Sequence, residues 1–318
     1  MEIMGDCGSF TYKDEYIPPF TVSEVAEFYS ECKFDYGLSL DHIIHGFEID
    51  SNLISNENLI EWKRRFELTM QYAWEFRKIH NVNNYKYDCI GVAQGWGPAS
   101  YRDAVAALQK MGYDYIAIGG MVSLKSRDII RSLEEIKTVR KPQTKLHLLG
   151  IARFTGVEQL MRYGVVSIDS TAPLKQAFKD ANRNYHTLQG DYMAIRVPQV
   201  GENAQLRKKI LAGEVDHDRA RALERLCLRG LINYGNKSGN LRELMGNLKQ
   251  YEEIHSLSAA KAEQYERTLI DRPWEKCSCA VCKSLGIHVV LLRGAERNRR
   301  RGFHNLYVLN NLLKIQSR

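Results

Sequence analysis

The sequence predicts an α/β fold built on a parallel β-sheet, followed by a helix-rich region and a small metal-binding subdomain. Short apolar segments alternate with helix-like stretches between Ile3 and Asp169. Apolar and polar residues do not alternate regularly in these segments, which is typical of parallel strands that helices cover on both faces. Beyond Asp169 the alternation stops, and three cysteines follow between Cys277 and Cys282. A sheet of this kind forms either a closed barrel or an open, doubly wound sheet.

Each predicted strand is short and ends near a polar residue or a glycine. The strands span Ile3–Asp6, Tyr36–Asp41, Cys89–Gln94, Tyr115–Gly120, Leu146–Gly150 and Val165–Asp169. The helices between them span Thr21–Cys32, Asn56–His80, Ser100–Met111, Ser126–Val139 and Gly156–Tyr163. In the first of these helices Thr21 is a typical N-cap, and Val22, Val25 and Tyr29 share one apolar face.

The C-terminal half is predicted to be mainly helical. Asp191–Val197 has the composition of a strand in a hairpin, whereas Asn203–Ile254 and Ala259–Thr268 are helix-like. We therefore expect three parts. They are a parallel-sheet domain over 1–195, a helix-rich region over 196–270 and a zinc-binding subdomain with a closing helix over 271–318, and the first of these is the barrel that the family resemblance described below implies.

The composition is that of a globular protein outside the membrane. The chain has 318 residues, of which 44% are hydrophobic, enough for a sizeable core. No apolar run approaches the roughly 18 residues that a membrane-spanning helix needs. The first residues, MEIMGDCGSF, lack the basic start and apolar stretch of a signal peptide. A cytoplasmic location is therefore expected, with no membrane partner.

Basic residues are concentrated in two regions. The formal net charge of +7 by itself barely favours a nucleic-acid partner. A run of arginines near the C-terminus favours phosphate contact, with a solvated helix face as the alternative. Its members are Arg293, Arg297, Arg299, Arg300 and Arg301. A second basic region, from Arg207 to Arg229, is interleaved with acids and fits phosphate binding and a solvated face equally well.

Three cysteines, Cys277, Cys279 and Cys282, are spaced as C-x-C-x-x-C and predict a structural metal site. Thiolates this close in sequence suit a small tetrahedral cation such as Zn²⁺ better than they suit disulfides. His288 and His304 both follow and are the candidates for a fourth ligand. The other cysteines are scattered and are expected to be reduced thiols: Cys7, Cys32, Cys89 and Cys227.

Polar residues and glycines collect at the C-terminal ends of the predicted strands. They are Asp6, Asp41, Gln94, Gly119, Gly120 and Asp169. These ends share one edge, where active sites are built in barrels and in open sheets. Two carboxylates in one pocket are typical of covalent catalysis at a sugar carbon, with helix capping or a loop position as the alternative for each. No phosphate-binding glycine motif follows a strand, so a nucleotide cofactor is not expected.

Several short motifs resemble, in the same order, those of the tRNA-guanine transglycosylases. The segments are G-D-C-G-S-F (Gly5–Phe10), L-D-H (Leu40–His42), G-V-A-Q-G (Gly91–Gly95), I-A-I-G-G-M (Ile116–Met121), L-L-G-I (Leu148–Ile151) and G-V-V-S-I-D-S (Gly164–Ser170). The three cysteines and F-H-N-L (Phe303–Leu306) resemble the zinc site and closing helix of that family, which selects His304 as the fourth ligand. Each motif is short, and their shared order makes the resemblance specific.

The resemblance implies a (β/α)8 barrel that exchanges the base of a guanine nucleoside. Asp169 is implied to be the nucleophile that attacks C1′, and Asp6 the general acid/base that takes a proton from the incoming base. The target base must leave its stack to reach such a pocket. The residues implied to bind the base or to line its pocket are Phe10, Asp41, Gln94, Gly119, Gly120 and Met121.

The chain departs from the tRNA enzymes in three respects. It begins at what would be the third barrel strand, so we expect an upstream start, an unrelated element or another chain to cover the open edge. Ser170–Lys175 reads S-T-A-P-L-K where the tRNA enzymes have a P-T-R motif, and 175–272 is helix-rich and unlike theirs. These changes fall in polynucleotide-binding parts, and the chain is more similar to the DNA-acting branch of the family.

The expected substrate is therefore DNA, with 7-cyano-7-deazaguanine or a close derivative as the incoming base and Zn²⁺ as a structural cofactor. The alternatives are a tRNA substrate, a non-catalytic partner subunit and a zinc-stabilised nucleic-acid-binding protein without chemistry. The family further implies a homodimer that pairs through the zinc region. A helicase or ATPase partner is expected to open duplex DNA, because the chain has no ATP-binding motif.

Overall fold

The structure is a computed structural model that describes residues 2–151, 157–180, 182–255 and 261–316. It divides into two compact units, Met1–Ser170 and Thr171–Arg318. The first unit carries the parallel sheet, and the second carries the cysteine cluster. Over the described ranges, no helix combines the length and the apolar content that crossing a membrane requires.

The first unit is a curled half-barrel of six parallel strands, arranged in their order along the chain. The strands are β1 (Met4–Gly5), β2 (Tyr36–Leu38), β3 (Asp88–Ala93), β4 (Tyr115–Ile118), β5 (Lys145–Leu148) and β6 (Val165–Ile168). The helices are α1 (Val22–Glu31), α2 (Asn56–Val82), α3 (Pro98–Lys110), α4 (Ser126–Val139) and α5 (Val157–Met161). Because all six strands run the same way, their carboxyl ends meet at one edge.

Both faces of this sheet bury apolar side chains, which explains why the strands are mainly apolar and do not alternate. On the helix side, Ile116 and Ile118 of β4 pack in a large buried cluster with Leu108 of α3. On the other face, Ala117 of the same strand packs in a smaller cluster with Val92. Burying one such aliphatic side chain contributes about 1.5–3 kcal/mol, so the two clusters fix the strand order and register.

The predicted strands and helices of the first unit are confirmed, with shifts at their ends. Thr21 caps α1 as expected, because its side chain accepts a hydrogen bond from the Glu24 N–H while the Glu24 carboxylate accepts one from the Thr21 N–H. The strand predicted over Tyr36–Asp41 ends earlier, at Leu38. Gly156, where the fifth helix was predicted to begin, lies outside the described residues.

The second unit combines helices with two small strand pairs. Strand β7 (Tyr185–Thr187) pairs antiparallel with β8 (Gly190–Tyr192), and β9 (Ile195–Arg196) pairs parallel with β10 (Leu291–Leu292). The predicted strand Asp191–Val197 is thus divided between a hairpin and a second pair. The helices are α6 (Ala172–Lys179), α7 (Ala204–Leu211), α8 (His217–Gly235), α9 (Leu241–His255), α10 (Ala262–Asp271), α11 (Pro273–Lys276), α12 (Ala280–Leu285) and α13 (Ala295–Gln316). The start predicted at Ala259 lies outside the described residues.

The boundary between the units falls at Ser170 and Thr171, whereas the sequence suggested boundaries near 195 and 270. One buried apolar cluster in the second unit contains Ile195, Leu231 and Trp274. These side chains come from all three expected parts of the chain. The helix-rich region and the cysteine region therefore share one core and form a single packing unit.

Candidate active site

The carboxyl edge of the half-barrel brings the predicted acidic residues together. Asp6 directly follows β1 and Asp169 directly follows β6, while Asp41 lies shortly after β2. Burial raises the pKa of Asp6 and of Asp41, and a neighbouring negative charge adds to each shift, that of Asp169 for Asp6 and that of Asp6 for Asp41. Such electrostatic coupling requires the three carboxylates to be close neighbours.

Asp169 is placed to remain ionised. Its side chain is 52% exposed, and its Oδ1 accepts a hydrogen bond from the Gly150 N–H at 2.6 Å. Partial burial raises the pKa of Asp169, but the His147 side chain and the Gly150 N–H together lower it below its ordinary value. A half-exposed carboxylate that keeps its charge is chemically suited to attack an electron-poor carbon.

The pKa of Asp6 is shifted in the opposite direction, above its ordinary value. Although its side chain is open to solvent, desolvation by the surrounding residues raises its pKa, and the charge of Asp169 raises it further. Hydrogen bonds from the backbone N–H groups of Gly8 and Cys7 oppose this shift only in part. Two neighbouring carboxyl groups with pKa values moved in opposite directions are typical of an acid/base paired with a nucleophile.

Asp41 and Gln94 form a buried polar pair beside these acids. Asp41 is 1% exposed, and its Oδ2 accepts a hydrogen bond from Gln94 Nε2 at 2.7 Å. Burial and the charge of Asp6 raise the pKa of Asp41 to about 6, although hydrogen bonds from Cys7, Gln94 and Ser9 oppose the shift. A carboxylate with a fixed amide partner offers directional hydrogen bonds to a flat polar ligand.

Two residues that the sequence analysis did not place in the site hold Asp41 in position. The Cys7 thiol donates to Asp41 Oδ1 at 3.2 Å. The Tyr12 hydroxyl lies 3.0 Å from Cys7 Sγ and 3.1 Å from the Asp41 carbonyl oxygen. Burial raises the pKa of Cys7 well above its usual range, so Cys7 is a thiol donor and not a thiolate. The sequence feature that could have placed Cys7 in the site is its position directly after Asp6 in the first motif.

Steric constraints explain why two glycines, Gly119 and Gly120, follow β4. The Gly119 carbonyl accepts a hydrogen bond from the buried Tyr101 hydroxyl at 2.9 Å. A Cβ on Gly119 would lie 2.2 Å from Gln94 Nε2. Gly120 has a φ of +73°, a conformation that L-residues with a side chain rarely adopt. Both positions therefore require glycine for this pocket to keep its shape.

The substitution Gly119→Ala is expected to displace the Gln94 amide and break its hydrogen bond to Asp41. Because both partners are buried, the expected loss of stability is about 1–3 kcal/mol. Urea unfolding followed by circular dichroism measures it. Gly201→Ala is the matched control, because a Cβ there has no heavy atom within 4 Å. Equal midpoints for the two variants would contradict this account of Gly119.

Phe10 and Met121 occupy different environments. Phe10 is 64% exposed and contacts the edge of the His45 ring, with 6.1 Å between the ring centroids. Met121 is fully buried in the large apolar cluster of the first unit. Phe10 therefore offers an open aromatic face, whereas Met121 supports the chain that follows Gly120 from within the core.

The second unit contains a cluster of four residues that could hold a metal ion. The ligand atoms of Cys277, Cys279, Cys282 and His304 all lie within 4.8 Å of one another. His304 Nδ1 is 3.5 Å from the sulfurs of Cys277 and Cys279 and 3.3 Å from that of Cys282. A tetrahedral ion with metal–sulfur bonds of about 2.3 Å separates its ligand atoms by about 3.5–3.8 Å, so the donor set fits such an ion.

The surroundings of His304 explain why this histidine, and not His288, joins the cluster. His304 Nε2 lies 2.8 Å from the His186 carbonyl oxygen, which fixes the proton on Nε2 and leaves Nδ1 free to bind a metal. The Tyr185 ring stacks on the imidazole at 4.1 Å. His288 is absent from the metal-compatible cluster found among the described residues.

The prediction that Arg301 contacts nucleic acid is wrong. Arg301 is fully buried, and burial lowers its pKa to about 10. Its guanidinium donates hydrogen bonds within the second unit to the carbonyl oxygens of Ala177, Val289 and Leu291 and to Asn298 Oδ1. A guanidinium with these partners ties α13 to its neighbours and is unavailable to a phosphate.

The other arginines of this run differ in exposure. Arg293 forms an ion pair with Glu224 at 2.6 Å and donates to the Val197 carbonyl at 3.0 Å, so it is engaged inside the unit. Arg299 is exposed, and the exposed Arg300 pairs with Glu296 at 2.8 Å. Arg297 is half-buried. Arg297, Arg299 and Arg300 therefore remain candidates for phosphate contact.

Comparison with known proteins places this arrangement in a family. No family model matches the chain. A DNA-guanine transglycosylase from Salmonella montevideo is 49% identical over 319 residues, which cover 99% of this chain and 76% of that protein. A queuine tRNA-ribosyltransferase from Marinobacter nauticus is 29% identical over 117 residues, which cover 36% of this chain and 31% of that protein. The chain belongs to the tRNA-guanine transglycosylase superfamily of pentosyltransferases, in the DNA-guanine transglycosylase branch.

Proposed function

We propose that this protein replaces guanine in DNA with a 7-deazaguanine, through a covalent intermediate on Asp169. The observation that carries the proposal is the pair of neighbouring carboxyl groups at the sheet edge. The pKa of Asp169 is lowered and that of Asp6 is raised, a difference that fits a nucleophile paired with a general acid/base. The similarity to a DNA-guanine transglycosylase supports the same reaction class.

In the first half of the reaction, an oxygen of Asp169 attacks C1′ of a guanine nucleotide that has left its stack. A bond forms between this oxygen and C1′, and the bond between C1′ and guanine N9 breaks. Its electron pair stays with guanine, and the protonated Asp6 carboxyl donates a proton to the departing base. The product is a glycosyl ester on Asp169 and a neutral free guanine.

In the second half, the incoming 7-deazaguanine binds where guanine has left. The Asp6 carboxylate takes the proton from its ring nitrogen, and that nitrogen attacks C1′. The ester bond to Asp169 breaks, and its electron pair returns to the carboxylate. Protons and charges balance over the two halves, because Asp6 ends the cycle in the protonated state in which it began.

Base recognition is assigned to the buried pair of Asp41 and Gln94. The carboxylate accepts hydrogen bonds from ring and exocyclic N–H groups, and the amide has both a donor and an acceptor. Gly119 and Gly120 bring the backbone close to the base edge, and the exposed ring of Phe10 supplies a stacking surface. Met121, which is buried in the core, supports the loop that contains Gly119 and Gly120.

The remaining assignments concern the cofactor and the partners. We assign Zn²⁺ to the cluster of Cys277, Cys279, Cys282 and His304, because three thiolates and one imidazole are typical of structural zinc. When bound, the ion would link the segment that carries the three cysteines to α13, and it would take no part in the chemistry at the sugar. Exposed arginines such as Arg299 are assigned to DNA phosphates. A cytoplasmic location, a homodimer through the metal region and a helicase or ATPase partner are part of the same proposal.

The test is base exchange with labelled guanine. We expect purified protein to incorporate the label into DNA, and unlabelled 7-cyano-7-deazaguanine to compete with it. Nucleoside mass spectrometry of the same DNA should show the deazaguanine nucleoside. Label in tRNA alone would overturn the choice of DNA, and the absence of label from both, with a partner protein restoring it, would favour the non-catalytic subunit.

A further inference from the structure

A partly buried chain of polar side chains leads along the sheet to Asp169, and the steps described above do not use it. Tyr115 on β4, His147 on β5 and Ser167 on β6 belong to three neighbouring strands. Ser167 Oγ lies 2.5 Å from the Tyr115 hydroxyl oxygen and 2.6 Å from His147 Nδ1. His147 Nε2 lies 3.4 Å from Asp169 Oδ1. The chain therefore ends on the proposed nucleophile.

The directions of these hydrogen bonds follow from the chemistry of the groups. A carboxylate only accepts, so His147 must turn an Nε2–H toward Asp169. In the tautomer that carries its hydrogen on Nε2, Nδ1 accepts, and the Ser167 hydroxyl donates to it. Ser167 is left to accept from Tyr115, which remains a phenol because burial raises its pKa. Every hydrogen thus points along the chain toward Asp169.

His147 Nε2 is buried and lies near the Asp169 carboxylate. The His147 side chain is 4% exposed. Within the described residues, Nε2 has no partner with good hydrogen-bond geometry, since the 3.4 Å contact to Asp169 is long. Burying a donor without a partner is unfavourable. Such long contacts at active sites commonly tighten when the reactants are bound.

Both donors to Asp169 act on the same oxygen. The Gly150 N–H donates to Oδ1 at 2.6 Å, and the shortest contact of His147 Nε2 with the carboxylate, at 3.4 Å, is also to Oδ1. Resting on the proposed function, we propose that His147, oriented by Ser167 and Tyr115, is a positioning residue. It holds Oδ1 so that Oδ2 faces C1′, and it stabilises the carboxylate when Asp169 is expelled in the second half-reaction.

No proton passes through His147 in this scheme. In the second half-reaction the bond between Oδ2 and C1′ breaks and its electron pair returns to the carboxylate. The Nε2–H donates to that developing charge, while the proton of the incoming base goes to Asp6. The charged or titratable groups that face Asp169 are Asp6 and His147, and Glu2 acts on the outer end of the chain at Tyr115.

The test compares His147→Leu, which removes the donor, with His147→Gln, whose amide N–H can replace it. We expect His147→Leu to lower kcat about 10- to 100-fold, the loss of one hydrogen bond to a charged group. The KM for the base should stay within about twofold, because Asp41 and Gln94 are untouched. Loss of the donor also raises the pKa of Asp169, so the acidic limb of the kcat profile should move to higher pH.

His147→Gln is expected to recover most of the rate and the original acidic limb. Ser167→Ala, which releases Nδ1 while keeping the ring, should give a smaller loss in the same direction. His217→Leu, at an exposed position on α8, is the matched control and should behave like the wild type.

Wild-type kcat and an unmoved acidic limb in His147→Leu would overturn the proposal. A loss of kcat that His147→Gln does not rescue, with no shift of the limb, would assign His147 a purely structural role and also overturn it. If His147→Leu does not fold, as judged by circular dichroism, His147→Gln and Ser167→Ala decide by the same two measurements. Inactivity of the wild type with both DNA and tRNA would instead refute the proposed function.

Discussion

Replacing Asp169 with asparagine is expected to abolish base exchange, with a loss of at least about 10⁴-fold in kcat. Asparagine keeps the shape of the side chain but lacks the anionic oxygen that must form the bond to C1′. The denaturation-resistant adduct between protein and DNA, which the wild type should accumulate when no incoming base is supplied, should vanish. Gel electrophoresis under denaturing conditions measures the adduct, and labelled guanine measures the exchange.

DNA binding should survive in Asp169→Asn, because the side chain is half-exposed and its loss removes no buried apolar contact. Asp103→Asn is the matched control, since that exposed carboxylate on α3 pairs with Arg102 at the surface. Exchange and adduct in the control should equal those of the wild type. An Asp169→Asn variant that still forms the adduct would show that another group is the nucleophile.

The largest expected effect on stability comes from the metal cluster. Cys277→Ser should remove a thiolate from a four-ligand set, and a structural zinc ion contributes about 10–16 kcal/mol of apparent binding free energy at neutral pH. We expect the variant to lose its zinc, as measured by elemental analysis of the purified protein. The thermal unfolding of the second unit should shift to much lower temperature, because Cys279 and Cys282 belong to its core.

Two histidine variants provide the matched control for the metal site. His304→Ala should reproduce the loss of zinc, whereas His288→Ala should retain it, because His304 Nδ1 alone lies within 3.5 Å of the three sulfurs. A chelator should destabilise the wild type and leave Cys277→Ser unchanged. Zinc retained in Cys277→Ser at the wild-type ratio would contradict the assignment of this site.

Local chemistry made much of the fold predictable from the sequence. The first unit is a run of strand–helix units, and its central strands are mainly apolar because the sheet buries side chains on both faces. The cysteine spacing predicted the metal cluster for the same reason, since thiolates a few residues apart are brought together by a single turn. Asp6 and Asp169 were identifiable because the ends of parallel strands share one edge.

Other features depended on side chains that are distant along the chain. Tyr115, His147 and Ser167 are joined by strand pairing, and no local pattern marks them as a group. The contact of Cys7 with Asp41 spans 34 positions, so the motif that contains Cys7 gave no indication that its thiol holds Asp41. Pairing of this kind depends on strand order and register, which apolar patterns constrain only loosely.

The sequence by itself determined the strand–helix order, the acidic residues at the strand ends and the ligand set of the metal cluster. Only the tertiary structure decided that Arg301 is buried while Arg299 is exposed, that the units divide at Ser170, and that His147 contacts Asp169. The physical reason is the distance along the chain over which the residues interact. Periodicity and motif spacing record interactions between neighbours in the chain, whereas burial and pKa depend on every group that packing brings nearby.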